Sequence, residues 1–283
     1  MARDKGDPTA FGLASARLAG MLRSLGWVAA GLALALLFWF LTVDVMALPR
    51  FRNLPRLAEV LSEWASTQPV YGLSIHTREY YEHIAHSLAR VLVAFGLATL
   101  LGVPLGLAMG TSRRVREYVF PLFEILRPIP PLAWVPLAIL MFRGTETPIV
   151  FLTFLASFYA TTLNTMLGVQ SIDASLIRAA KCLGAGPWTM FRRIILPGTL
   201  PAIFGGLQLS VGVAWFSLVA AEMVSGEYGL GYIINTGYSM ATYPTIFIGM
   251  FTLGIVGFAT SAAIRGVERA LTQWRRTSLG EQA

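Results

Sequence analysis

The chain has 283 residues, of which 55% are hydrophobic and only 13% charged, and its mean hydropathy is +0.62. A soluble domain carries about 25% charged residues, so the composition excludes an ordinary soluble globular protein and points to the bilayer. The net charge of +7 falls in short clusters between apolar runs, which excludes a continuous basic face for nucleic acid.

Bilayer crossing takes about 20 apolar helical residues, and six stretches have that length. Residues 1–24, with Arg3, Lys5, Arg17 and Arg23, read as a cytoplasmic tail. The uncharged stretch 25–43 reads as a first transmembrane helix. It exceeds the apolar core of a cleaved leader, about 7–15 residues, so a retained helix is expected. Residues 44–85 form a periplasmic loop in which Arg50, Arg52, Arg56 and Arg78 are offset by Glu59, Glu63, Glu79 and Glu82. His76, His83 and His86 lie close by and read as surface histidines rather than metal ligands.

The second span is expected over 91–110, where Gly102, Gly106 and Gly110 recur every four residues. Such spacing lets helices approach closely. Arg90 stands at its outer end. It can snorkel to the interface or contribute to an electropositive vestibule.

The third stretch, 119–141, is apolar but holds Glu124, Arg127, Pro128, Pro130, Pro131 and Pro136. The prolines interrupt the hydrogen-bond ladder, freeing carbonyls to line a cavity or allowing the helix to bend. A charge inside a span costs about 2.5–3.5 kcal/mol on insertion scales and is a functional candidate by default. Glu124 and Arg127 are three apart and can pair. Two readings stay open: mutual neutralisation that locks packing, or an Arg127 that helps an anion across. Trp134 either packs against the broken segment or forms part of a pore wall.

An uncharged fourth stretch covers 148–169. Then comes "LIRAAKCLGAGPWTMFRRIILPGTLP", residues 176–201, with four positive charges. Asp173 is placed to cap a helix over 174–182. Gly184 and Gly186-Pro187 end it. A second short helix is expected over 188–196, stopped by Pro197-Gly198. Ala179 and Ala180 leave one face slim, while Trp188, Met190 and Phe191 offer apolar contacts. Cys182, the single cysteine, reads as a packed thiol. One reading of this segment is a basic membrane-surface loop with no further role.

The fifth stretch, 200–221, contains Gly205, Gly206 and Gly212, and Glu222 closes it. Gly226, Gly229 and Gly231 follow, a pattern suited to a gate-like turn. Membrane depth tolerates such a turn only where it is buried or wet. Glu222 can anchor it by accepting backbone amides, or pair with Arg90 or Arg127. The sixth stretch is 246–264. Residues 271–283 form a second cytoplasmic tail.

Lys and Arg concentrate before the first span, between the second and third, between the fourth and fifth, and after the sixth. The positive-inside rule places these clusters in the cytoplasm. The expectation is an all-α membrane protein with six transmembrane helices and both termini cytoplasmic.

Ala179-Ala180, three residues, Gly184, nine residues, then Ile194-x-Leu196-Pro197 resembles the "EAA" loop of permease subunits of ATP-binding-cassette (ABC) importers. Arg178 stands where that pattern has glutamate. "RPIPPLAWVPLA" (127–138) and "LVAAEMVSGEYGLGY" (218–232) resemble the branch importing nitrate, sulfonates, taurine or bicarbonate. The resemblance covers roughly 86–269. It implies a type I, MetI-like importer fold with a five-helix core over 86–270 and a cytoplasmic coupling loop over 170–198. It also implies a multi-pass protein of the bacterial inner membrane whose partners are a second permease copy, two ATPase subunits and a periplasmic or lipid-anchored solute-binding protein. The coupling residues would be Arg178, Ala179, Ala180, Lys181, Leu183, Gly184, Ala185, Ile194, Leu196 and Pro197. Candidates for the substrate path are Arg90, Arg127, Pro130, Pro131, Trp134 and Glu222.

The chain has no G-x-x-x-x-G-K-[ST] phosphate loop, and its lysines are Lys5 and Lys181 alone. It therefore has no such means of binding ATP, and the energy for import would come from another subunit. No cofactor, metal or nucleic acid is expected. A self-sufficient secondary transporter or channel is the alternative, and a membrane-embedded enzyme lacks its usual motifs.

Overall fold

The computed structural model describes residues 33–45 and 53–272, with isolated positions from 23 to 31. Regular structure among the described residues is entirely helical. The chain divides into two compact units, Met1–Ser62 and Glu63–Ala283.

In the first unit an apolar helix (α1, residues 33–40) runs into a π-helical turn, Leu41–Val45. Thr42 Oγ1 bonds back to Phe38 O at 2.8 Å, and Trp39 Nε1 donates to Pro55 O at 3.3 Å. These residues include most of the expected first span, 25–43; residues 25, 28 and 32 of it lie outside the described residues. Helix α2, Leu57–Trp64, follows.

Among its described residues the second unit contains four helices long and apolar enough to cross a membrane, and a fifth crossing if one bent pair counts as a single span. Helix α3, Arg78–Thr111, is 34 residues long and begins well before the expected second span. Helices α4 (Arg113–Leu126) and α5 (Val135–Met141) flank a 3₁₀ turn, Pro131–Trp134. The expected third stretch, 119–141, is bent by 85° and makes one crossing only if the bent pair is taken together. Pro128, Pro130 and Pro131 explain the bend: none can donate to the ladder, and Pro130 is extended at φ −58°, ψ 141°.

Helix α6, Glu146–Gln170, lies between α3 and α9 (Leu196–Ser225). Glycine makes this possible on both sides. A Cβ on Gly106 would sit 2.5 Å from Thr162 O, and one on Gly110 2.5 Å from Val169 Cβ. Across the other interface a Cβ on Gly206 would sit 2.5 Å from Asn164 Cβ, whereas Gly205 and Gly212 face open space. The small-residue spacing thus does bring backbones together, as membrane helices without a hydrophobic drive require.

Between α6 and α9 lie α7 (Ala174–Cys182), α8 (Pro187–Met190) and a π turn, Phe191–Ile195. The expected stop at Pro197 does not occur; the helix runs on from Pro187 to Ser225. The π turn explains why. Leu196 N–H reaches back five residues to Phe191 O, and this widened turn sets a proline at the start of α9 without a break. Helices α10 (Leu230–Ser239) and α11 (Tyr243–Leu271) complete the unit.

Contacts fix the directions. The starts of α3 and α6 and the end of α9 meet through Arg90, Glu146 and Glu222. The opposite end carries an apolar core of Leu107, Val169, Ile203, Phe204 and Leu207, with Phe191, Ile195 and Ile264 packed around it. Arg113, Arg114, Arg116 and the α7–α8 segment follow from that end, so the described basic loops gather at one pole of the helices.

Candidate functional site

Three local structures have functional character: the α7–α8 loop, a buried ion network at the opposite pole, and a cavity at the broken span.

The loop is shaped by its own backbone. Asp173 Oδ1 accepts from Ser175 N at 2.8 Å, the expected N-cap. That bond holds the Asp173 carboxyl below its ordinary pKa. At the far end Ala185 N bonds to Ala180 O and Gly184 N to Lys181 O, both at 3.0 Å. This is a Schellman closure, and it needs the left-handed φ of +77° that Gly184 supplies. Pro187 then opens α8 at a position with no intrahelical N–H bond to lose.

Ala180 and Met190 are buried, and Leu196 packs on the apolar core. Ile194 and Pro197 are half-buried. Ala179, Arg178, Lys181, Arg192 and Arg193 are exposed. So are Leu183 at 88%, Trp188 at 68% and Leu176 at 57%. Cys182 is exposed rather than packed, because the buried side of α7 is the Ala180 side. Behind the loop a cavity of about 440 Å³ is lined by Lys181, Ala185, Pro187, Met190, Phe191 and Thr111 at the end of α3. Large apolar groups and cations therefore share one surface, and residues 174–221 contain no acidic side chain.

At the opposite pole Arg90 does not snorkel. It is 3% exposed, and its guanidinium bridges two carboxylates. Nε donates to Glu146 Oε2 at 2.6 Å, and Nη1 to Glu222 Oε1 at 2.7 Å and Tyr228 O at 2.6 Å. Glu222 is fully buried. It also accepts from Ser87 Oγ at 2.8 Å and Gly231 N at 2.9 Å. Ser87 Oγ in turn accepts from Leu230 N at 2.8 Å, and His83 Nδ1 from Gly229 N at 3.0 Å. Three consecutive amides at the start of α10 thus meet three side-chain acceptors, which satisfies the donors a helix start leaves free. Gly229 is at φ +128°, and a Cβ there would overlap the Glu222 carboxyl. Glu222 both anchors the turn and pairs with Arg90, so two readings left open by the sequence hold together. His76 and His86 are exposed as expected, whereas His83 is half-buried; His86 stacks on Tyr228 at 5.0 Å and His83 lies tilted against the same ring at 5.6 Å.

The third structure lies where α4 breaks. Arg127 and Glu124 do pair, but at 3.6 Å, with side chains 53% and 47% exposed. Arg127, Ile129 and Pro131 line a cavity of about 250 Å³ together with Ala156, Tyr159, Ala160 and Leu163 of α6 and Val213 of α9. Pro130 is exposed, and the buried Trp134 Nε1 has no hydrogen-bond partner among the described residues. Arg90 and Glu222 do not line this cavity.

Sequence reasoning missed Ser87, Glu146 and Tyr159. His83, Ser87 and Arg90 follow i, i+4, i+7 and share a helical stripe, a signal hidden because the span was expected to start at 91. Glu146 and Tyr159 gave none.

Comparison with known proteins decides the family. Residues 102–277 match the family described as "Binding-protein-dependent transport system inner membrane component". The chain belongs to that family. This permease component is 35% identical to the taurine transport system permease protein TauC of Escherichia coli K12, over 86% of its own length and 87% of that protein. It is 32% identical to the nitrate import permease protein NrtB of Leptolyngbya laminosa, over 69% of this chain and 70% of that one. It is 34% identical to the putative aliphatic sulfonates transport permease protein SsuC of Bacillus subtilis 168, over 71% and 73%. In fold the permease resembles a chain of the MetNI methionine ABC transporter in an inward-facing conformation, with a TM-score of 0.58 and 20% identity. That match covers 68% of this chain and 95% of the other. The permease is thus an inner-membrane transport component that is not itself catalytic, and its system is binding-protein-dependent.

Proposed function

We propose that the permease forms, with a second copy of itself, the translocation path of an importer for a small oxyanion, with a sulfonate or taurine, nitrate or bicarbonate as the candidates. Two separate ATPase subunits drive it, and a solute-binding protein feeds it from the periplasm. Six spans with both termini in the cytoplasm are the topology of this reading, with 86–270 as the core and 170–198 as the coupling loop.

The observation that carries it is the α7–α8 loop. A protein surface rarely exposes Leu183, Trp188 and Leu176 together unless something covers them. The loop is preformed by its cap and Schellman closure, and α8 is continuous with the span ending at Ser225. Force on the loop therefore acts directly on α9, and the last turn of α9 carries Glu222 of the distal network. ATPase closure shifts the permease only if the ATPase binds one conformer better than the other. A rigid loop joined to a span is suited to that role.

The test is co-purification with the partner ATPase subunit. Deleting residues 179–184 is expected to abolish ATPase capture while the chain still inserts in the membrane. Unchanged capture would contradict the coupling role.

A further inference from the structure

We propose that the cavity at the broken span is a binding site for an organic anion with a short apolar body, such as an alkanesulfonate, and that Arg127 and Tyr159 hold its head group. The inference rests on the reading of this chain as a solute permease and narrows its substrate class.

Position comes first. Ala156, Tyr159, Ala160 and Leu163 lie near the middle of α6, and Val213 lies near the middle of α9. Both helices have membrane-spanning length, so the cavity sits midway along the spans. An arginine at such depth is costly to insert and marks a solute pathway by default. Arg90 meets that cost with a closed network, whereas Arg127 has a single partner at 3.6 Å and stays 53% exposed. Its guanidinium retains donors for a ligand.

Chemistry comes second. Arg127 supplies the cation and Tyr159 a hydroxyl donor. The Tyr159 ring is set by an edge-to-face contact with Phe123 at 5.2 Å and 87°. The remaining lining is Ile129, Pro131, Ala156, Ala160, Leu163 and Val213, all apolar. A small inorganic oxyanion carries charge on every side and would lose hydration against those walls without compensation. An alkanesulfonate directs its charge to the guanidinium, where bidentate pairing is strong, and its chain to the apolar wall. A volume of about 250 Å³ lies just below the roughly 300–1,000 Å³ of pockets for drug-sized ligands, which suits a smaller organic solute.

The experiment measures binding of radiolabelled butane-1-sulfonate by scintillation proximity to the permease–ATPase assembly in nanodiscs, without binding protein and against empty nanodiscs. Saturable binding is expected, displaced by hexane-1-sulfonate better than by ethanesulfonate and not by nitrate, bicarbonate or butan-1-ol. Arg127→Gln should weaken it roughly tenfold or more, the loss of a charged hydrogen bond. Arg127→Lys should retain part of it, and Tyr159→Phe should weaken it less than Arg127→Gln. Displacement by nitrate as good as by sulfonate, binding untouched in Arg127→Gln, or no saturable binding would each overturn the proposal. Stimulation of the same assembly's ATPase by the binding protein is recorded in parallel. If stimulation persists without sulfonate binding, the permease reading stands and the cavity proposal falls; if stimulation is absent, the permease reading itself fails.

Discussion

Arg90 lies in the membrane-length helix α3 and Arg127 at the C-terminal end of the 14-residue α4, and the molecule treats the two arginines in opposite ways. Arg90 is 3% exposed and bridges Glu146 and Glu222. Arg127 is 53% exposed, with one stretched partner beside a cavity. A buried charge bonded at every guanidinium nitrogen belongs to the architecture; a half-exposed charge with donors to spare is available for work. Residue type at depth does not distinguish these cases, and the partner geometry does.

The contrast predicts unequal consequences. Glu222→Ala leaves Arg90 short of a partner and frees the Gly231 amide. Removing one member of a buried pair costs about 3–5 kcal/mol, so thermal unfolding of the detergent-solubilised protein should show a large loss of stability. Arg90→Ala should do the same. If both variants melted like the parent, the network would not be the fastener described here.

Gly229→Ala should rank next. It forces a side chain into a left-handed position at φ +128° and against the Glu222 carboxyl. Strained backbone of this kind costs on the order of 1–3 kcal/mol. The melting temperature should fall, and cysteines placed near Tyr228 should become reactive as the turn loosens. A silent Gly229→Ala would show that the turn is not held as tightly as the three amide bonds imply.

Gly184→Val sharpens the comparison from the other pole. It disturbs the left-handed position at φ +77°, where an added Cβ meets nothing within 4 Å. A non-glycine residue there costs about 1–2 kcal/mol. Stability should fall less than in Gly229→Ala, while ATP-driven uptake in reconstituted vesicles should drop severalfold. Equal loss of stability and uptake would reduce the loop to a structural part.

The smallest stability effect belongs to Arg127→Gln. An exposed pair contributes about 0–1 kcal/mol, so the melt should be nearly unchanged. A destabilisation matching that of Arg90→Ala would mean that Arg127 is a packing residue, and the contrast between the two would dissolve.

Much of this was legible in the sequence because bilayer physics leaves little choice. Apolar length gave α6, α9 and α11, the glycine spacing gave the close face of α3, and Asp173 and Gly184 gave both ends of α7. Local rules failed where one residue's effect depended on its neighbours. Pro197 reads as a stop until a π turn before it removes the clash. Arg90 reads as a snorkelling end because its partners, Glu146 and Glu222, are distant in the chain and only the fold unites them. The cavity at Arg127 arises from the 85° bend, and proline content announces a break without giving its angle.

The central claim is that work done by a separate ATPase reaches the spans through the α7–α8 loop. Its most direct test is solute accumulation by proteoliposomes holding the permease with or without its ATPase, both supplied with binding protein and internal ATP. Accumulation against a gradient should require the ATPase. Uphill uptake by vesicles containing the permease as their only membrane protein would contradict it.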